Sequence, residues 1–400
     1  MSRRGRPSSQ TVESRSAGVG RRSWSPDARL KRERMEPLCL VDSLVPLEQT
    51  LAGRVVGQDD AIHSLVCAFS RLLSGLHDPS RPLLTALLLG PTGTGKTETA
   101  RALAQTLFGN DLAMTRVNSQ EFTHGHEISK LLGSPPGYVG GAIQPLLSQE
   151  RIDAPHARLR EMFAENPEEN PGLAERIFPA KEDHFLSVVL FDEIEKAHPV
   201  VWDALLGILE DGTLTLGNNA TTDFTRSIIL MTSNVGSREM SEFLERRHVG
   251  FRTDVEEAGP RQMDLRELAL VAAEAVFPFE FLNRFDEMLV YGALEAEHLD
   301  RILDKFLAEI HERMLRQAGV PLLVKLSPGA KHLVIERGMD LRYGARPLRR
   351  AVEHALVDPL SRLIASGKLF AGDVVDVEVE QGQLAFYRRC PESQTPIVTV

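Results

Sequence analysis

The most restrictive feature of this chain is eight residues, GPTGTGKT (Gly90–Thr97), which close an apolar run, Leu83–Leu89. A run with almost no alternation reads as a strand buried on both faces, and the residues that follow put Ala100, Leu103, Ala104 and Leu107 on one side of a helix. A glycine-rich turn between such a strand and helix points its backbone N–H groups and the helix N-terminus into one concavity, where phosphate charge is stabilised. In that context G-x-x-x-x-G-K-[ST] is a phosphate-binding loop. The spacing assigns Lys96 to the β- and γ-phosphates and Thr97 to Mg²⁺. Pro91, Thr92, Gly93, Thr94, Gly95 and Glu98 complete the cofactor-binding stretch, and the implied ligands are ATP and Mg²⁺.

A second stretch, SVVLFDEIEKAHP (Ser187–Pro199), supplies the other half of such a site. An apolar strand ending in Asp192-Glu193 sets two carboxylates at the carboxyl edge of a sheet, beside the phosphate loop. Asp192 is then the metal-side carboxylate, and Glu193 the group that orients and activates the attacking water. Ile228–Asn234 (IILMTSN) is another buried strand with a polar end, where Asn234 can meet the γ-phosphate or the water. Buried strands separated by helical segments imply a parallel sheet covered on both faces. From Leu294 the texture changes. Leu299, Ile302, Leu303, Phe306, Leu307, Ile310 and Met314 form a helical stripe, followed by a strand (Leu322–Leu326), two helices and a strand (Val374–Val379). The expected organisation is a basic tail (1–35), an α/β ATPase core (36–290), a smaller α/β lid (291–385) and a tail (386–400). Residues 150–184, rich in Pro, Asn and charge, are expected as a surface insertion.

Composition narrows the function classes. Residues 1–34 carry a net charge of +7, leaving −17 for the remainder of a chain whose total is −10. The acidic body disfavours a nucleic-acid surface. The Arg/Ser-rich start is expected to be a dispensable disordered tail; a transit segment, or translation from Met35, are the other readings. Leu83–Leu89 is far too short to span a bilayer. Cys39, Cys67 and Cys390 are too few and too scattered for a disulfide framework, which fits a reducing cytoplasm.

Eight segments occur in a telling order: GRVVGQDDAI (Gly53–Ile62), GPTGTGKT, GSPPGYVG, VVLFDEIEKAHP, LEDGTLT, MTSNVG, FLNRFDE and YGARPLRR. Together they resemble the second ATPase module of the Clp family of AAA+ protein unfoldases, over about Leu47 to Val379. The resemblance implies that Val55 and Val56 lie in the adenine-binding stretch. It implies that Arg284 is an arginine finger reaching a neighbouring subunit, and that Arg346 is a second sensor reporting nucleotide state to the lid. A guanidinium suits both tasks because it offers bidentate contacts to phosphate. The plain alternative for Arg284 is a surface pair with Asp286 or Glu287.

The resemblance also gives a reading to an odd loop tip. Pro135, Pro136 and several glycines mark a turn, yet it carries a large aromatic. By the resemblance, Gly137, Tyr138, Val139 and Gly140 form a pore loop, six copies of which grip an extended polypeptide in a homohexameric ring. Val249, Gly250 and Phe251 resemble the tripeptide by which peptidase-coupled relatives dock a Clp peptidase ring. The implied function is an ATP-driven unfoldase or translocase of unfolded or tagged proteins; the alternative is a nucleotide-switched remodelling protein that does not thread its partner. The chain departs from the family after GYVG, where GAIQPLLSQ and the insertion replace an acidic residue and a short connection.

Overall fold

The computed structural model describes residues 44–133, 144–155, 157, 186–240, 262–318, 322–339 and 344–389. The basic tail, the loop residues Gly137–Gly140, most of the 150–184 segment and Val249–Phe251 lie outside the described residues. All described residues belong to one compact unit, Leu40–Val400.

Five parallel strands form the central sheet: β1 (Leu84–Leu89), β2 (Thr115–Asn118), β3 (Ser187–Asp192), β6 (Ser227–Ser233) and β7 (Glu287–Val290), in the order β2-β3-β6-β1-β7. A short antiparallel pair, β4 (Thr213–Thr215) and β5 (Thr221–Asp223), stands beside it. β1, β3 and β6 are buried at every position. The reason is visible in their side chains. Ala86 and Leu88 of β1 enter a core with α1 (Val45–Arg54), α2 (Asp59–Ser74) and α3 (Lys96–Phe108), whereas Leu87 and Leu89 enter the opposite core. That second core takes Trp202, Leu205 and Leu209 of α5 (Pro199–Asp211), α4 (Ile128–Leu132) lying earlier in the chain. It also takes Ala269 and Ala273 of α6 (Gln262–Glu274) and Phe281 of α7 (Phe279–Leu282). Neither face needs polar residues, so the strands do not alternate.

A third core belongs to the smaller α/β part. α8 (Ala296–Arg313), α9 (Pro328–Gly338), α10 (Arg346–Val352) and α11 (Asp358–Ala365) pack Leu299, Leu303, Ile310, Val334, Leu348 and Leu360 together. They lie against a sheet in which β9 (Val374–Glu380) runs parallel to β8 (Leu323–Leu326) and antiparallel to β10 (Gln383–Arg389).

Two expectations change. β10 occupies the start of the expected 386–400 tail; it pairs with β9 along its full length, and Phe386 packs on the third core. The expected insertion cannot begin at 150. Ile152 is buried in the second core, and the preceding residues are tied to β5: Thr222 Oγ1 donates to the Leu147 carbonyl and Asp223 N to Gln149 Oε1.

Candidate functional site

β1 and β6 end level with one another and β3 ends one residue earlier, so Leu89, Ser233 and Asp192 all bring the chain to the carboxyl edge of the sheet. The phosphate loop leaves β1 there. Gly90 adopts φ +145°, and a Cβ on it would lie 2.6 Å from the Tyr291 carbonyl oxygen, so only glycine fits. Tyr291 is itself fully buried, its hydroxyl 2.8 Å from Thr99 Oγ1 on α3, and burial raises its phenol pKa. Lys96 opens α3 and is buried. Its Nζ donates to the carbonyls of Gly90 (2.6 Å) and Pro91 (2.7 Å) and to Asn234 Oδ1 (3.0 Å). Desolvation is the chief cause that lowers the ammonium pKa to about 8, and Arg346 adds to it; Glu195, Asp192 and Glu193 act in the opposite direction. Thr92 Oγ1 also donates to Asn234, which joins the end of β6 to the loop.

Beside the loop stands the carboxylate end of β3. Asp192 Oδ1 accepts from Thr97 (3.0 Å) and from Thr232 (2.6 Å), and Oδ2 accepts from Arg116 (2.5 Å). Burial by itself would raise this carboxyl, but those three donors outweigh it and hold the pKa below the usual range. Hydroxyl and carboxylate oxygens at a helix N-terminus form a hard donor set of the kind Mg²⁺ takes together with phosphate oxygens. Among the described residues no cluster of three or more His, Cys, Asp or Glu could hold a metal by itself. Glu193 follows in a left-handed conformation (φ 56°), its N–H donating to Thr232 Oγ1 and its carboxylate accepting from Gln120. Strain of this kind at a non-glycine residue aims a side chain out of the strand's plane.

The smaller part closes the other end. Gly344 has φ +58°, and a Cβ there would meet Gly93 O at 2.6 Å and Thr92 O at 2.7 Å; Ala345 N donates to Gly93 O. Arg346, the next residue, lines the same cleft as Lys96, Thr97, Asp192, Glu193 and Asn234. Val55 and Val56 line it from the α1 side and Leu294, Ile302 and Phe306 from the lid, around a volume of about 390 Å³. Lys305 of α8 bridges the two parts, donating to Glu98 (2.7 Å) and to the Arg54 carbonyl (2.9 Å).

The family model of the AAA domain (Cdc48 subfamily) matches residues 81–157 and 161–288, and the model of the C-terminal D2-small domain of ClpB protein matches 294–377. This chain belongs to the AAA family, with a Clp-type small domain. It is 38% identical over 342 residues to the negative regulator of genetic competence ClpC/MecB of Bacillus subtilis. It is 39% identical over 339 residues to the chaperone protein ClpD1, chloroplastic, of Oryza sativa subsp. japonica, and 37% over 357 residues to the ATP-dependent Clp protease ATP-binding subunit ClpC of Staphylococcus aureus. These alignments cover 85–89% of the chain but only 32–39% of the relatives' own lengths. A nucleotide-binding AAA cleft therefore accounts for the cavity.

Arg284 of this AAA module is absent from the cleft. Its guanidinium lies 2.8 Å from Glu210 of α5 and 3.7 Å from Glu280, while Asp286 and Glu287 pair instead with Arg81 and Arg71. Several residues that contact the site escaped the sequence reading. Thr232 and Glu195 lie inside motifs already singled out, and Glu195 accepts the Asn234 backbone N–H. Arg116, within β2, and Gln120, in the turn that follows it, carried no signal except their position after a short apolar stretch. Among the described residues no helix is long and apolar enough to cross a membrane.

Proposed function

We propose that this chain is a subunit of a homohexameric, cytoplasmic ATP hydrolase that unfolds and threads polypeptide through the ring, and that it can feed a Clp-type peptidase. The observation that carries the reading is a division of the expected set. Lys96, Thr97, Asp192, Glu193, Asn234 and Arg346 meet in one cleft, while Arg284 stays outside it, against Glu210. A guanidinium that reaches no phosphate of its own subunit suits the γ-phosphate of a neighbour, so a complete site calls for a second copy.

Within that site Lys96 and the loop N–H groups bind the β- and γ-phosphates. Glu193, turned out of β3, takes the proton of the attacking water, and Asn234 orients the water or the terminal phosphate. Mg²⁺, held through Thr97 and Asp192, would neutralise charge between the phosphates. Arg346 reports occupancy to the lid. The names of the relatives, a chaperone and an ATP-binding subunit of a protease, support protein substrates. In this reading Tyr138 grips the substrate, since an aromatic ring contacts any backbone without reading sequence, and Val249–Phe251 dock the peptidase.

Tyr138→Ala tests the reading directly. Hydrolysis should persist while unfolding of a tagged, folded model protein is lost, with stability changed by less than about 0.5 kcal/mol, as for a solvent-facing group. A buried aromatic would instead cost roughly 3 kcal/mol. A depressed melting temperature, or unfolding at the parental rate, overturns the gripping role.

A further inference from the structure

Within four consecutive residues, Val55–Gln58, the chain passes from one half of the molecule to the other. Val55 is buried in the core formed by α1, α2 and α3; its neighbour Val56 is buried in the third core, with Leu294, Leu299 and Ile302 of the lid. Gly57 (φ +77°) lies so close to His298 of α8 that a Cβ would sit 2.7 Å from its Nδ1. Gln58 is 4% exposed and makes two bonds to one residue 234 positions away. Its Nε2 donates to the Gly292 carbonyl (3.1 Å), and its Oε1 accepts the Gly292 N–H (2.9 Å). Gly292 stands between β7, the last strand of the large sheet, and α8, the first helix of the lid.

That geometry has a mechanical meaning. The chain crosses from core to lid at Gly292, and a residue joined to it by both backbone groups has little freedom to rotate about that point. The partner on the other side, Gln58, stands two residues after Val56, which lines the cleft with Val55. A side-chain amide that satisfies one N–H and one C=O of the same residue replaces the pairing a β-ladder would give, in a place where the strand has already ended.

We propose that Gln58 is a positioning residue that couples the base end of the cleft to the swing of the lid: it ties Gly292 to the Val55–Gly57 segment, so that a nucleotide filling the cleft sets the lid angle. The proposal rests on the nucleotide-binding reading above. Removing the tie should leave the phosphate loop able to bind while the lid ceases to respond.

The test is amide hydrogen exchange on the full chain, with and without saturating ADP. In the parent, ADP should slow exchange both in the phosphate loop (90–97) and in α10. In Gln58→Met, which keeps the bulk and loses both bonds, protection of the loop should stay within about twofold of the parent, whereas ADP-dependent protection of α10 should fall at least tenfold. The KM for ATP should change by less than about threefold while kcat falls about tenfold. Gln58→Asn is one methylene too short to reach both groups, and it should behave alike if the methionine variant fails to fold. Gly292→Ala should match the parent, because its backbone groups remain and a Cβ there meets nothing within 4 Å. Parental protection of α10 in both Gln58 variants overturns the coupling. A parent in which ADP protects neither region overturns the nucleotide reading instead.

Discussion

The two ends of the cleft are built in opposite ways. At the phosphate end every group hangs from the edge of a buried parallel sheet: Lys96 opens the helix after β1, Asp192 ends β3, and Asn234 follows β6. At the lid end the walls come from segments more than 200 residues apart, joined by single contacts such as Lys305 to Glu98 and Ala345 to Gly93. A sheet edge holds geometry by its whole hydrogen-bonded ladder, whereas a seam between cores holds it by a few bonds that can be made and broken. The first arrangement suits chemistry, and the second suits movement.

The comparison can be broken most sharply at the phosphate end. Glu193→Gln keeps the shape and the partner Gln120 but cannot serve as a base, so hydrolysis should fall by about 10³-fold while nucleotide still binds. Parental turnover would remove Glu193 from the chemistry. Gly344→Val strikes the seam. A β-branched residue at φ +58° whose Cβ meets the Gly93 carbonyl at 2.6 Å cannot dock, and Arg346 is displaced with it. ADP affinity should fall about 30-fold, roughly 2 kcal/mol, by equilibrium titration. Unchanged affinity would show that the lid is not needed to close the cleft.

Acidity separates the ends further. The Lys96 ammonium has its pKa lowered to about 8. Phosphate binds the charged form, so above that pH binding must first take up a proton. Affinity should weaken with rising pH, by up to about tenfold per unit between pH 8 and 10, and the slope should vanish in Lys96→Met. A flat profile in the parent would mean that Lys96 stays charged when free. Lys305→Ala should give the smallest effect. The pair with Glu98 is partly exposed, so its loss should shift nucleotide affinity by less than about fivefold, and less still in high salt.

The same contrast governs how much could be read in advance. The phosphate end was legible because apolar strand, glycine turn and helix are contiguous, and a contiguous pattern leaves a local signature in GPTGTGKT and VVLFDE. Strand limits differ by a residue: β1 begins at Leu84 rather than Leu83. The seam was not legible. Gln58 and Lys305 act on partners 234 and 207 positions away, and no local periodicity reports such pairs. Arg116 escaped for a related reason: it reaches Asp192 across the sheet from a four-residue strand whose exposure pattern does not alternate cleanly. β10 was hidden because its inward residues are only half-buried, which weakens the apolar signal of an edge strand. Ile152 was hidden by the Pro- and charge-rich text that follows it.

The docking of Gly344 and Ala345 on the phosphate loop is made with main-chain atoms, the carbonyls of Thr92 and Gly93. An interface that touches only backbone is indifferent to the side chains on the surface it touches. At this contact, side chains of the loop can therefore change without any compensating change at Gly344 or Ala345, and the cost of change falls on residue 344. A library randomised at residue 344 should return almost nothing but glycine, while one randomised at exposed positions of α11 should return nearly everything, so at this contact the lid can diverge around a fixed glycine.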